Sequence, residues 1–550
     1  MLLDSFERLV ESGPSADCLA HRVGERWALF SRRQVWDAAR ALVAVWQGQG
    51  LTPGDRVLIM MENRPEWAVA AIAAAYAGWV LVPAYTTHSD AEVHYLIDQT
   101  EPKAVIASEG FAGRLSQFMP NALSHWVGGA SDALDVPVPS EGAMPLRFDA
   151  TTDSLYALIA TSGTNGLPKI AMLSQGNLRA NVASILDILR DAELLKPQRF
   201  LSFLPLAHAY EHMAGLHLPL AMGSSIYYCE KLERLPGDMA AVKPTLMTAV
   251  PRLYELLHSK IELQVAQSSK LKQALFKATL RLGVKSPSEM SAFERVLNGV
   301  CERLVRAKVR RRFGGALLYF VSGGAALNPK IAEFFTALGV GILQGYGQTE
   351  ASPVVSVNRP GAVRTDTVGP PLPGVEVRLS EAGELLVKGP IVMQGYWKAP
   401  EATLATLNNG WLHTGDLAEI DPDGHIRIVG RIKDLIINSG GENIAPAPLE
   451  AALMFHPDVA QAVVVGDGRP WLSALIVLSE TAIERGEPKE SVVRAILKSV
   501  NADQPAYLHI RKALAVDEPC TLENGLLTPT QKIKRHQWIA AHQDALDALY

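Results

Sequence analysis

Five short stretches of this 550-residue chain concentrate side chains that can handle phosphate. TSGTNGLPK (161–169) sets the hydroxyls of Thr161, Ser162 and Thr164, the amide of Asn165, the glycines Gly163 and Gly166, and Lys169 into nine positions. Hydroxyls, exposed backbone N–H groups and one cation are what phosphate oxygens take up. GYGQTE (345–350) gathers Tyr346, Gly347, Thr349 and Glu350, and LHTGD (412–416) ends in Asp416. GRIKDLIINSGGEN (430–443) joins Arg431 and Lys433 to Gly440 and Gly441, and LTPTQKIKR (527–535) carries Lys532 near the end of the chain. Each alone also reads as ordinary structure: Asp416 as a turn cap, Glu350 as a surface acid, Lys532 as a solvated cation. The first stretch is not a Walker A loop, because Gly163 and Gly166 are too close and Ile170 follows the lysine; nor is it GxGxxG.

Such loops need elements that bring them together. Apolar, β-rich runs recur between helical patterns: RVLIMM (56–61), KAVIAS (103–108), LYALIA (155–160), RFLSFLPL (199–206), TLMTAV (245–250) and LLYFVSGG (317–324). Strands that are hydrophobic throughout and alternate with helices predict an α/β fold whose sheets are covered on both faces. Ligands in such folds gather at the carboxyl ends of strands. Three of the runs finish in small or polar residues, TSGTNG, PLAHAYE and SGGAAL, so a site at the sheet ends is expected. After about Gly361, turn residues between short alternating segments predict a smaller β-rich subdomain, with a hairpin around Pro422, Asp423 and Gly424. A compact α+β segment follows. The expected division is 1–430 and 431–550.

Composition narrows the class. With 48% hydrophobic residues, 20% charged residues and a net charge of −5, the chain reads as a globular enzyme and not as a nucleic-acid binder. Its four cysteines are scattered without a CxxC pair, so buried thiols in a reducing, cytoplasmic setting are expected in place of disulfides or a zinc site. The first fifteen residues make a poor signal peptide, and the final DALY is no peroxisomal address. Residues 67–85 carry no charge and imitate a membrane span, but Gly78 and Pro83 interrupt them; a buried helix, a turn and a buried strand is the reading. Residues 251–312 read as helical and hold fourteen Lys and Arg against five Glu, a balance of +9 that leaves −14 for the rest. A solvated face, a polyanionic cosubstrate or a peripheral anionic membrane surface each fits that excess.

Taken in this order, the motifs resemble those of the adenylate-forming superfamily of acyl-CoA synthetases, luciferases and peptide-synthetase adenylation domains. The resemblance covers most of the chain and includes NRPEW (63–67), TSGTNGLPK, LPLAHAYE (204–211), SGGAAL (322–327), GYGQTE, MQGYWKAPEAT (393–403), LHTGD, GRIKD and LTPTQKIKR. Within it, LPLAHAYE, the long basic helical insert, SGGENIAP and LTPTQKIKR look most like long-chain fatty-acyl-CoA synthetases.

That resemblance implies a large N-terminal domain, a small mobile C-terminal domain, and a two-step reaction with ATP, Mg2+ and coenzyme A on a medium- to long-chain fatty acid or another carboxylic acid. The loop from Thr161 to Lys169 would cradle the β- and γ-phosphates. Thr161 and Glu350 match magnesium-binding positions, and Thr349 would reach the α-phosphate. Gly324, Ala325 and Tyr346 would border the adenine, and Gly347 is a further cofactor-binding position. Asp416, with Arg431, would hold the ribose, Lys433 matches the hinge, and Gly440 and Gly441 would line the thiol tunnel. Lys532 matches the catalytic lysine and His208 a position beside the acid. The acid pocket is expected around residues 208–220 and 249–254.

The sequence departs from the family pattern at Asn165, Ile170, Gln175 and Gln531, which bears on rate more than on chemistry. An acyl-AMP ligase serving a carrier protein, an aryl or short-chain acid ligase, and a silent lipid-binding scaffold stay open at this level. So do a light-emitting activity and the oligomeric state.

Overall fold

The computed structural model describes residues 2–161, 168–502, 504–528 and 532–550. Two covered sheets carry the first part of the chain. One has six strands in the order Leu123–Val127, Ala104–Ser108, Arg56–Met60, Val80–Pro83, Leu155–Ala160, Ile170–Ser174; all its pairs are parallel except the last. The other has eight strands, with Asp17–Val23, Ser225–Tyr228, Arg199–Ser202, Leu246–Ala249, Tyr319–Ser322 and Gly341–Gly347 parallel in that order and an antiparallel strand at each edge. Their unbroken apolar runs have helices to bury them on both sides, as α/β layering requires.

The uncharged stretch that imitates a span is core. The helix Pro65–Ala77 is buried along almost its whole length and ends at Gly78, which takes φ 72° and donates to the Ala74 carbonyl. The strand Val80–Pro83 follows, fully buried, with Trp67 and Trp79 both sealed from solvent. A side chain at Gly78 would meet the Phe148 ring at 2.5 Å, so the turn needs glycine on both counts. Among the described residues, no helix is long and apolar enough to cross a membrane.

The expected β-rich subdomain is a five-stranded sheet. Its central strand Trp411–Ile420 pairs with Glu384–Lys388 on one side and returns through the Asp421–Gly424 turn into Ile426–Arg431. Beyond lie the two-stranded pair Ile436–Ile437 and Asn443–Ile444, and a three-stranded sheet of Val459–Val465, Leu472–Leu478 and Ile510–Val516. The helices Pro446–Phe455 and Lys489–Asn501 close one apolar core over this last sheet, and Trp538 anchors a second. All four cysteines are buried and unpaired. The basic stretch is helical, from Pro251–Ala266 through Ala307–Arg312.

Candidate active site

The carboxyl ends of the parallel strands converge on one cavity of about 580 Å³, within the usual range for small-molecule sites. Thr161 caps the end of Leu155–Ala160, and its N–H and hydroxyl both donate to the Lys169 carbonyl, at 2.7 and 3.1 Å. These two residues thus close the base of the 162–168 loop. Ser162, Gly163, Thr164, Asn165 and Gly166 lie outside the described residues, as does Gln531. At the end of Gly341–Gly347, a short 3-10 turn carries Thr349 and Glu350 into the same cavity, beside Tyr346 and Gly347. Gly324, at φ 84°, follows the strand Tyr319–Ser322 and lines the wall; Ala325 comes next and is exposed, outside the lining.

One residue without an assigned role ties two sides together. Tyr396 donates its hydroxyl to Glu350 Oε1 at 2.7 Å, while Lys169 Nζ sits 4.7 Å from the centre of its ring. Tyr396 is held in turn by its neighbours: Gly395 accepts from Met172 and Trp397 donates to Ile170, both on the strand Ile170–Ser174. Burial and the Glu350 charge raise the Tyr396 phenol far above its ordinary range, so it stays a donor.

Asp416 is buried under this wall. Its Oδ1 accepts from Arg431 Nε at 2.9 Å and its Oδ2 from the Tyr346 hydroxyl. Each carboxylate oxygen has a further lone pair to offer. The turn before Asp416 is set by Glu384, which accepts from the Gly415 N–H at 2.8 Å and contacts His413 Nδ1 at 2.9 Å. Lys433 and Asp434 also reach the cavity. Gly440 and Gly441 do not: they form an exposed turn between Ile436–Ile437 and Asn443–Ile444.

Lys532 enters from the last segment. Its backbone N–H donates to Thr528 Oγ1 at 3.0 Å, its carbonyl accepts from the Thr528 N–H, and it lines the cavity with Thr528. Enclosure by the surrounding walls, and then the Arg431 charge, lower its ammonium to about 8, with Asp416 opposing. Water still reaches the side chain through the open cavity, so enclosure acts fully only when a ligand fills it. His208 faces the same charge. Burial, followed by Lys532, lowers it to about 4, leaving a neutral imidazole whose Nδ1 accepts from the Tyr210 N–H at 3.3 Å. The Nε2 of that ring then carries the proton.

Part of the lining is apolar: Ile185, Ile188 and Leu189 from the helix Gln175–Asp191, with Phe200, Leu218 and Leu246. This corrects the expected pocket in part. Residues 209–218 contribute, but 249–254 do not, since Ala249, Leu253 and Tyr254 turn into the core behind the sheet. Leu246, Met247 and Thr248 form the wall in their place. The helix Gln175–Asp191 gave no sign of this role in sequence, because its cavity residues share the apolar face that any packed helix has. Tyr396 stood inside a quoted motif and could have been singled out as an aromatic hydroxyl beside a phosphate loop.

Under the cavity floor lies Glu211, fully buried, accepting from Ser202 and Thr248 hydroxyls at 2.6 Å each. Burial raises it to about 7 against those two bonds.

Comparison with known proteins follows this geometry. Residues 6–397 match the family model described as AMP-binding enzyme, and 433–550 match the AMP-binding enzyme C-terminal domain. The chain is 32% identical to the long-chain-fatty-acid–CoA ligase FadD15 of Mycobacterium bovis, over 94% of its own length and 91% of that ligase. It is 30% identical to the peroxisomal long chain acyl-CoA synthetase 7 of Arabidopsis thaliana, across its whole length and 86% of the other. The fold is shared with ATP-bound MatB from Rhodopseudomonas palustris, at a TM-score of 0.76, 24% identity, and coverage of 99% of this chain and 100% of that one. It is shared also with the A domain of a carboxylic acid reductase from Segniliparus rugosus, at a TM-score of 0.78, 23% identity, and coverage of 100% and 94%.

Proposed function

Because the chain belongs to the family of AMP-binding enzymes, we propose that it joins a long-chain fatty acid to coenzyme A at the expense of ATP, through an acyl-AMP intermediate. The observation that carries this reading is the composite cavity. Lys169, Arg431, Lys433 and Lys532 bring four cations to its lining, Glu350 and Thr349 share it, and Ile185, Ile188, Leu189, Phe200, Leu218 and Leu246 give it an apolar part.

In the first step, one carboxylate oxygen of the acid bonds to the α-phosphorus of ATP, and the bond from that phosphorus to the bridging oxygen breaks. Pyrophosphate leaves with the electron pair. Such a transfer needs positioning and charge neutralisation more than a protein nucleophile. The loop of Thr161, Ser162, Gly163, Thr164, Asn165, Gly166 and Lys169 receives the β- and γ-phosphates, and Thr349 the α-phosphate. Gly324 and Tyr346 border the adenine, with Gly347 beside them in the lining, and Asp416 with Arg431 takes the ribose hydroxyls. Lys532 offsets the charge where the acyl-phosphate bond forms. His208, neutral, borders the carboxylate.

Thr161 and Glu350 fit magnesium. Thr161 spends its proton on the Lys169 carbonyl, and Tyr396 occupies only one oxygen of Glu350, so both keep hard oxygen lone pairs to give. Bound there, the ion supplies further neutralisation of the triphosphate.

In the second step, the coenzyme A sulfur bonds to the acyl carbon, the carbon–oxygen bond to phosphate breaks, and AMP leaves. With Lys532 on the cavity wall and Gly440 and Gly441 outside it, the arrangement suits the first step. The second calls for the 431–550 domain to swing about Lys433 and bring the glycine turn to the site. The four buried, unpaired thiols support the cytoplasmic reading.

Pyrophosphate release measured over a panel of carboxylic acids, with and without coenzyme A, tests this. Release that depends on long-chain acids, with acyl-CoA formed only when the thiol is present, is the expected result. No release with any acid, or acylation of a carrier protein in preference to coenzyme A, would overturn it.

A further inference from the structure

The basic helical stretch carries an apolar feature that charge counting does not reveal. Phe293, Val296 and Val300 project from the helix Ala292–Cys301, and Leu304 from the continuous turn after it. They are 75%, 71%, 41% and 48% exposed. Spacings of three and four place them in one stripe, roughly 17 Å long at about 1.5 Å per residue. The opposite face is fixed. Cys301, with Leu282 and Met290, forms a small core, and Arg306 donates to the Ala337 carbonyl at 2.7 Å and to Asn298 Oδ1 at 2.8 Å. The stripe is therefore held outward on a firmly seated helix.

The charges beside it are one-sided. Glu294 is taken by Lys285 at 2.9 Å, and Glu302 by Arg310 and Arg306. Among the described residues, Arg295, Arg303, Lys308 and Arg311 have no carboxylate within ion-pair distance, and Arg295, Arg303, Lys308 and Arg311 are exposed. A second copy of the chain would bring two +9 segments face to face, and the repulsion opposes such a pairing. A soluble polyanion would use the cations and leave Phe293 and Val296 wet. An apolar stripe flanked by unpaired Lys and Arg matches an interfacial helix, whose greasy side enters the acyl boundary while its cations meet headgroups.

We propose that the face built from Phe293, Val296, Val300 and Leu304 with Arg303, Lys308 and Arg311 docks on a bilayer surface bearing anionic lipids. The proposal stands apart from the catalytic reading and is tested apart from it. The segment grows from Pro251, directly after the strand Leu246–Ala249 that helps to wall the cavity, so docking would hold an apolar pocket near a reservoir of apolar chains.

The full-length protein is mixed with vesicles of phosphatidylglycerol and phosphatidylcholine, and separately with phosphatidylcholine alone, and sedimented at low and high salt. Binding to the anionic vesicles, weakened by salt, is expected. Phe293→Ser with Val296→Ser should weaken it at least about tenfold through lost apolar burial. Arg303→Glu with Arg311→Glu should weaken it by a similar or larger factor. Neither pair should change pyrophosphate release in the absence of vesicles. Wild-type protein that ignores anionic vesicles, or a serine pair that binds as tightly as wild type, would overturn the proposal. So would light scattering that shows a wild-type dimer which the serine pair splits. Hydrogen exchange on the wild-type chain gives a check free of variants: vesicles should protect amides in 292–312, and their absence from the protected set would count against docking there.

Discussion

Lys169 and Glu350 approach the cavity from different sheets and meet on one side chain: the lysine ammonium lies 4.7 Å from the Tyr396 ring centre, and the Tyr396 hydroxyl donates to Glu350 at 2.7 Å. The cation that would meet phosphate and the carboxylate that would meet its counter-ion are thereby held in one frame. A charge-assisted hydrogen bond is worth more than a neutral one, so the link matters to both.

Tyr396→Phe removes the hydroxyl and keeps the ring beneath Lys169. Loss of a hydrogen bond to a charged group should lower acid-dependent pyrophosphate release by roughly 10- to 100-fold. The magnesium concentration for half-maximal rate should rise with it. Tyr396→Leu, which also removes the ring, should lose more. Titrating magnesium for each variant checks the order.

Lys532→Ala should reduce pyrophosphate release by roughly 10²–10³-fold and leave ATP binding, followed by calorimetry, nearly intact. The lowered ammonium, at about 8, gives the sign of the pH effect. The charged form predominates below that value and is lost above it, so wild-type release should fall as pH rises through about 8. Lys532→Arg stays charged and should remove that alkaline limb, whatever its absolute rate.

Asp416→Asn should raise the ATP concentration for half-maximal rate by roughly 10- to 100-fold, since it leaves Arg431 without its charge partner and weakens the bond from Tyr346. Glu384→Gln, which weakens the Gly415 and His413 contacts at the cavity wall, should give a smaller shift in the same direction. Initial rates against ATP concentration separate the two.

Glu211 bears on stability. Its carboxyl is raised from 4.5 to about 7 in the folded chain, so the stabilising preference for the protonated form is complete below the unfolded value and disappears as pH climbs through about 7. The span corresponds to on the order of 3 kcal/mol. Glu211→Gln keeps an acceptor oxygen for one of the Ser202 and Thr248 hydroxyls and offers the other a donor, as the protonated carboxyl does, without the titration. Its thermal midpoint relative to wild type should therefore rise from acid to neutral pH; a constant difference across that range would remove Glu211 as the cause.

The apolar strand runs were legible because both faces of these sheets are buried, and burial on both faces leaves a continuous hydrophobic signature. Gly78 and Pro83 likewise marked residues 67–85 as a helix, a turn and a strand. Thr161, Lys169, Tyr346, Thr349, Glu350, Arg431 and Lys433, which share no local pattern, meet in one cavity because strand ends and the turns beside them deliver them there, and the terminal segment adds Lys532. What sequence could not supply was side-chain direction. Ile185 and Ile188 look like any packed helix face, and Phe293 and Val296 look like one too, yet the first pair faces a cavity and the second faces solvent. Gly440 and Gly441 were placed by their motif, and the fold leaves them outside the cavity.

Thr528 and Lys532 line the same cavity as Thr161 and Glu350, although Thr528 lies 367 positions after Thr161 and 178 after Glu350. Occupancy of that space and the seating of the terminal segment must then share a coupling energy, and the coupling runs equally in both directions. Whatever loosens the tail loosens the grip on nucleotide by the same factor. A filled site must, in turn, shelter the tail from proteolysis.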